Sequence, residues 1–581
     1  MAEDIRGNDN EVIKGIKPGG WRAIKYILAN ETFEKLASMS LIANITVYLN
    51  TMYNMDGILL VNVVNMWSGS SNISSLAGAF LSDAYLGRFH TLLIGSIASL
   101  LGMGTMTLTA AIPQLQPPRC ARNSACSEPR SWQLGVLFAA LTLLALGSGC
   151  IRPCNIAFGA DQLDTRTEKG RAQLQRFYNW WYFTFTIALL VALTAVVYIQ
   201  TNVSWTIGFA IPTACFLFSM VTFLIGCPTY IYHKPRGSIF IDMVKVVTAA
   251  CRKRRLTLDY TDDTRSFYDP PNDGDLFMSK LSRTNRLRFF DKASLIDDPS
   301  EVNGDGIADN SWRLCSVQQV EQLKCLIGCL PVWISGILSL LAMDQQNTFG
   351  VLQAIQMNRK VGPHFTVPPA WIGLTSMVAL SIWILIYERV LIPLLHKYKK
   401  TDDARLSVKQ RIRIGIIMSI ACMLVAAFVE KQRRQAALKK GSFESPLGVG
   451  FLAPQLVLSG LIEAFAAVSI MEFFTTQMPD SMRSIAGSVF FLSLSMASYM
   501  SSAVVNIIHS ITARGSGMAW LGGHDLNKNR LDYFYFIIAA IGGLNFLYFT
   551  SFAGKYIFVS DTEPKQRGTL TRELSYSSSR P

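Results

Sequence analysis

The chain has 581 residues, half of them hydrophobic and only 16% charged, with a positive mean hydropathy and a formal net charge of +14. A soluble protein of this length needs more charge to cover its surface, so the composition excludes a soluble multidomain protein. The basic excess does not imply a nucleic-acid partner: with the N-terminus on the cytoplasmic side, most of the 54 Lys and Arg fall in segments facing that side, the charge bias of a membrane protein.

Residues 1–20 form a polar tail of mixed charge, without the pattern of a cleavable signal peptide. An amphipathic lead-in over 21–30 follows, with Trp21 and Tyr26 as interface anchors. Apolar stretches of about 20 residues, each long enough to cross the bilayer as a helix, then recur. They lie at 32–51, 60–82, 90–112, 134–158, 178–200 and 207–231, and again at 322–343, 367–395, 411–430, 451–474, 484–511 and 532–556. Between the two sets lies a polar stretch holding the basic run Arg252–Lys253–Arg254–Arg255 and an acidic segment, Asp259 to Asp275. It reads as a solvated tether whose basic run lies near anionic headgroups. A Ser-rich basic tail closes the chain. The reading is an all-α polytopic membrane protein of twelve transmembrane helices in two six-helix halves, the layout of the major facilitator fold. Its segments are 1–30 (cytoplasmic tail and lead-in), 31–231 (first half), 232–318 (cytoplasmic linker), 319–556 (second half) and 557–581 (cytoplasmic tail). One segment opposes the charge bias. Lys431, Arg433, Arg434, Lys439 and Lys440 follow the ninth span on the outer side, and are read as a helix running past the membrane.

A charge at the bilayer centre costs roughly 2.5 kcal/mol or more, so each one is a functional candidate. The densest cluster is Glu31, Glu34 and Lys35, whose spacing of three and four places them on one helix face. Two carboxylates and an ammonium sum to one negative charge, and one proton neutralises them, as a proton-coupling site requires. An interfacial ion pair that only anchors the helix would share this spacing. Arg152 lies in the fourth span beside Pro153, which removes a backbone donor and favours a kink. Glu472 lies in the tenth, and a pair between them across the halves would compensate two otherwise costly charges. Glu463, nine residues before Glu472, falls on roughly the opposite face, so only one of the two acids readily faces a given cavity. The segment Gly78–Arg88 closes the second span with Asp83, Gly87 and Arg88 in a short turn suited to packing or a hinge.

The eleven cysteines show no metal-ligand spacing. Cys120 and Cys126 share an outer loop, as a disulfide or as two free thiols. No phosphate-binding loop, HExxH zinc motif or GxSxG nucleophile turn is present, which argues against an enzyme. The partners implied are a small-molecule solute, protons and the lipid bilayer, with no nucleic acid, and no cofactor beyond H⁺ as coupling ion. Oligomeric state leaves no mark on the sequence.

These residues resemble the plant nitrate and peptide transporter family, the plant branch of the proton-coupled oligopeptide transporters within the major facilitator superfamily. Glu31, Glu34 and Lys35 match its first-helix ExxE[R/K] motif, GAFLSDAYLGRF (78–89) its second-helix signature, and Arg152 through FGADQLD (158–164) its fourth helix and loop. FYNWWYF (177–183), AMDQQNTFGVLQ (342–353), EFF (472–474) and LDYFYF (531–536) extend the match over nearly the whole chain. The resemblance implies proton coupling through the first-helix cluster and a gating pair of Arg152 and Glu472. Where peptide carriers continue the first-helix motif with an aromatic pair, this chain has Leu36-Ala37-Ser38-Met39-Ser40; where nitrate carriers place a His late in the seventh helix, it has Met343. NETFEKL (30–36) and IRPCN (151–155) resemble the branch of low-affinity nitrate and glucosinolate or glucoside carriers. The expectation is a proton-coupled carrier of a glucoside such as a glucosinolate, with nitrate as the alternative and a non-transporting sensor of the same fold behind it. Ser38, Trp181 and Met343 are its candidate cavity residues. The plasma membrane is the expected site, with the vacuolar membrane left open.

Overall fold

The computed structural model describes all residues except 1–18, 119–126, 164–167, 234–238, 257–266, 271–280, 282, 304–305, 364, 400–404, 479–481, 517–518 and 558–581. The Cys120–Cys126 pair, most of the acidic segment of the linker and most of both terminal tails lie outside the described residues.

Among the described residues, twelve long helices run through the molecule. In the first half they are α1 (Trp21–Thr51), α2 (Gly57–Leu81), α3 (Gly87–Ala111), α4 (Ser131–Asp161), α5 (Glu168–Val191, continued by π-helical turns to Val203) and α6 (Trp205–Ile225). In the second half they are α7 (Val317–Ile355), α8 (Pro369–Leu394), α9 (Val408–Lys440), α10 (Val449–Gln477), α11 (Arg483–Ser516) and α12 (Leu531–Ser551). The chain is therefore an integral, multi-pass, all-α membrane protein.

Side-chain patterning shows why these helices sit in lipid. On α3, Ile94, Leu101 and Leu108 recur every seven residues and are exposed, a stripe that would aggregate in water and suits hydrocarbon. The opposite face of α3 carries Gly95, Ser99 and Gly102, which receive α4 at backbone distance: a Cβ on Gly147 would lie 2.8 Å from the Gly95 carbonyl oxygen. Packing in lipid gains little from the hydrophobic effect, so small residues that admit close contact set the interface. The same holds between α2 and α4, where a Cβ on Gly78 would lie 2.3 Å from the Gly149 carbonyl oxygen.

The α2–α3 connection is a π-helical turn, Ser82–Leu86, closed by Gly87 at φ 75°. Arg88 ion-pairs with Asp161 at the end of α4, which fastens this turn to α4.

Helices α1–α6 pack on one another, as do α7–α12, and α2 against α11 forms the largest contact between the two sets. Polar bonds join the halves at the end opposite the linker. Gly57 N donates to Gly523 O (3.0 Å), Asn62 Nδ2 to Asn506 Oδ1 (2.8 Å), Asn65 Nδ2 to Ser501 Oγ (2.8 Å) and Asn202 Nδ2 to Thr366 O (3.2 Å).

The described part of the linker differs from a solvated tether. Its helix Ile239–Arg252 and the turn Arg288–Ser294 pack on the start of α7. Lys324 of α7 pairs with Asp291 (2.5 Å) and Glu321 (2.8 Å), and Glu321 also accepts from Thr284. Lys253, read from sequence as part of a lipid-facing basic run, is buried and paired with Glu301 (2.8 Å). The linker is thus fastened to the second half.

Candidate functional site

The i, i+3, i+4 spacing on α1 places Glu31, Glu34 and Lys35 together, all three buried. Lys35 Nζ lies 2.8 Å from Glu34 Oε2 and 3.5 Å from Glu31 Oε1. Helix α4 completes the site: Asn155 donates to Glu31, and Arg152 lies within Coulombic range of Glu34 and Lys35. Arg152 Nη1 is held by Asn72 Oδ1 of α2 at 2.8 Å. Asn30 fastens the back of the cluster, donating to Ser219 Oγ of α6 at 2.8 Å. Three charged groups of α1 therefore meet, and counted together with Arg152 of α4 their charges cancel when both acids are ionised.

The same α1 face continues into a cavity of about 310 Å³ between the halves. Met39, Ile42 and Thr46 line it from α1, Asn72 and Arg152 from α2 and α4, and Met343, Asp344, Gln346 and Glu463 from α7 and α10. Ser38 and Trp181 are not among the lining residues. Ser38 turns its hydroxyl back to the Lys35 carbonyl (3.5 Å). Trp181 packs with Ile24, Leu28 and Phe177, stacks on Phe185, and lies beside Glu31. Ala37 and Ser40 are wholly buried in helix packing, so these small residues do not widen the cavity.

The expected Arg152–Glu472 pair is not formed in this conformation. Glu472 pairs within its own half, with Arg411 of α9 at 2.5 Å. Of the two acids of α10, the one that shares the cavity with Arg152 is Glu463, beside Asp344 of α7. Nine residues span about 2.5 helical turns, and a π-helical turn, Glu463–Ala467, intervenes, so the two acids point apart.

Asp344 lies in the AMDQQNTFGVLQ segment (342–353) but is not among the site residues expected from the sequence. The signal was present, an acid inside an apolar span. Asp344 Oδ1 accepts from Ser498 (3.1 Å), and Oδ2 has no partner among the described residues. A second buried ion pair, Glu430–Arg433 on α9, was also missed; it explains why that helix overruns the apolar stretch with basic residues.

Two bundles of six membrane helices around a largely apolar cavity that carries a few charged side chains, bonded to each other at one end, define a transporter in which one half can move against the other. Comparison with known proteins gives the family. Residues 89–521 match the family described as PTR2, the POT family. The chain is 57% identical over 557 residues to Protein NRT1/ PTR FAMILY 2.8 of Arabidopsis thaliana, covering 96% of this chain and 98% of that protein. It is 44% identical over 538 residues to Protein NRT1/ PTR FAMILY 2.13 of the same plant, covering 92% and 86%. Among solved structures, the POT family transporter PepTSo superposes with a TM-score of 0.67 at 18% identity, covering 93% of this chain and 99% of that one. The chain belongs to the POT family, in its NRT1/PTR branch, and this is a family of transporters, not of enzymes.

Proposed function

We propose that this protein is a proton-coupled secondary transporter of a bulky organic solute, a glucoside such as a glucosinolate, working by alternating access. The observation that carries the reading is the buried cluster Glu31–Glu34–Lys35, with the partly buried Arg152 of the cavity wall on the neighbouring helix. Counted with Arg152, the cluster is neutral when both acids are ionised and gains a net positive charge on taking up one proton. Lys35 or Arg152 then loses part of its internal compensation and is free to attract an anionic group of the solute. Proton and solute thereby favour each other's binding, as symport needs.

The positive-inside bias supports cytoplasmic termini, and we propose the plasma membrane as the site. The bonded end of the bundle is then the outer one, and this conformation faces inward. The Arg152–Glu472 pair belongs, in this reading, to the alternate state in which the linker end closes; Glu472 exchanges Arg411 for Arg152 as the halves rock. A cavity of about 310 Å³ is at the lower end of the range organic ligands occupy and far exceeds the needs of a four-atom anion. Nitrate is the second reading, supported by the Arg152 guanidinium in the cavity wall. Uptake of labelled benzyl glucosinolate and of nitrate at acid and neutral pH, each with an excess of the other, separates them. Acid-stimulated glucosinolate uptake that a large excess of nitrate scarcely reduces is expected. Saturable nitrate uptake without glucosinolate uptake would reverse the assignment, and no acid-driven uptake of either would refute it.

A further inference from the structure

The wall of the cavity from the second half ends in a side chain whose hydrogen bonding is incomplete. Gln346 opens a π-helical turn of α7, is only 2% exposed, and lines the cavity. Such turns often mark functional positions. Its Oε1 accepts from Gln455 Nε2 of α10 at 2.9 Å. Its Nε2, with two N–H groups, has no partner among the described residues. A buried donor left unpaired is costly, so the position calls for an acceptor from outside the chain.

An isolated amide could turn over and offer its oxygen instead. This one is held. The direction is fixed three hydrogen bonds away by Glu430 and Arg433 of α9, both fully buried. Arg433 donates to both carboxylate oxygens, Nε to Oε2 at 2.7 Å and Nη2 to Oε1 at 2.8 Å. A carboxylate paired this way is ionised and can only accept. Gln353 of α7 must therefore give Glu430 its Nε2, at 2.7 Å. Its Oε1 is left as acceptor for Gln455 Nε2 (2.9 Å) and for the Tyr535 hydroxyl of α12 (3.2 Å). Gln455 thus spends one N–H on Gln353 and the other on Gln346, and turning over any one amide would break a bond in the chain. The ion pair sets the orientation of three successive amides, and the last, with its two N–H groups unpaired, belongs to a residue of the cavity wall.

We infer that Gln346 is a specificity-determining residue, a donor subsite for an oxygen acceptor of the transported solute, held in orientation by the Gln455–Gln353–Glu430–Arg433 chain. The assignment rests on the transport reading for the nature of the solute. A sugar hydroxyl and an oxyanion oxygen both fit the donor. The hydroxyl has a further complement, because the unpartnered Asp344 Oδ2 belongs to a residue of the same wall and can accept its proton.

The test uses the full chain, purified and returned to lipid bilayers, with benzyl glucosinolate and nitrate as separate probes. Binding affinity is read on the protein alone, and KM and Vmax from uptake under a pH gradient. Gln346→Leu removes the donors and should weaken binding and raise KM about 3- to 10-fold for the accepted probe, with Vmax retained. Gln346→Glu places an acceptor where a donor stood and should raise KM further. Gln455→Leu leaves Gln346 intact but frees its amide to turn; KM should rise while Vmax and thermal stability stay close to wild type, which a merely structural role would not give. Glu430→Gln tests the anchor, and since it leaves Arg433 unpaired and can fail to fold, Gln455→Leu carries the positioning claim. A larger loss with the glucosinolate assigns the subsite to a hydroxyl, and a larger loss with nitrate to an oxyanion. Wild-type affinity and KM for both probes in Gln346→Leu would overturn the subsite, as would a wild-type protein that binds neither probe. Binding sensitive to Gln346 without acid-driven uptake would overturn the transport reading alone.

Discussion

Glu34→Gln is the perturbation for which the cluster gives the clearest expectation. In the native protein Glu31 and Glu34 oppose Lys35 and Arg152, and in the proposed coupling role one proton taken up changes the sum from zero to one positive charge. Glutamine fixes the sum at the protonated value and has no proton to release. A proton moving down a gradient of two pH units yields about 2.7 kcal/mol, enough for roughly 100-fold accumulation of a solute moved with it. The variant should lose this accumulation and let the solute only equilibrate. Exchange of internal for external solute, which needs no net proton release, should persist. Folding should survive: Lys35 keeps Glu31 at 3.5 Å and can still donate to the glutamine oxygen, so the loss stays below the ~3–5 kcal/mol of leaving a buried charge uncompensated. The assay is proteoliposome uptake of benzyl glucosinolate or nitrate, with and without an imposed pH gradient, beside a counterflow measurement. Gradient-driven accumulation at the wild-type level in Glu34→Gln would refute the coupling role.

Arg433→Met strands the fully buried Glu430 and should cost about 3–5 kcal/mol, seen as a lowered thermal midpoint in detergent; the double variant with Glu430→Gln should recover most of it, and an unchanged midpoint in the single variant would contradict the ion pair's importance. Gly149→Leu drives a side chain into the Ser74 backbone, where a Cβ alone would lie 2.7 Å from the carbonyl carbon, and should destabilise by about 1–3 kcal/mol or more, whereas Gly104→Leu, with nothing within 4 Å, should be tolerated in the same unfolding assay. Arg152→Glu and Glu472→Arg should each impair uptake and the double swap should restore part of it; losses that add with no recovery would show that the two residues never pair.

The fold was readable because each span must satisfy its own backbone in lipid and so announces itself as a long apolar run. Glu31, Glu34 and Lys35 were readable because charge in such a run is rare and their spacing lies along one helix face. The identity of the acid opposite Arg152 was not. The nine-residue spacing sets Glu463 and Glu472 on opposite faces of α10, but which face meets the cavity depends on how α10 packs, and nothing in the residue types marks that. The small residues after Lys35 misled for a related reason, since size says nothing of direction, and it is Met39 and Ile42 that meet the cavity. Gln346 was hidden differently. A neutral amide raises no alarm in an apolar span, and its meaning depends on Gln455, Gln353 and Glu430, which the sequence scatters over more than a hundred residues.

The charges facing the cavity separate the two classes of solute by their response to pH. Arg152 from the first half looks across at Asp344 and Glu463 from the second, and Glu463 forms no ion pair among the described residues. With both acids ionised the wall carries one net negative charge, one proton cancels it, and a second reverses it. The neighbouring α1 cluster changes in the same direction. An anionic solute such as a glucosinolate or nitrate should therefore bind more tightly as the pH falls, independently of any gradient. An uncharged glucoside should show nearly constant affinity over the same range while its uptake still depends on the gradient. The measurement is equilibrium binding to the purified protein at a series of pH values, with no membrane potential or pH difference to drive transport. Affinity for benzyl glucosinolate that weakens on acidification would contradict the assignment of Arg152, Asp344 and Glu463 to a shared cavity wall that the solute senses.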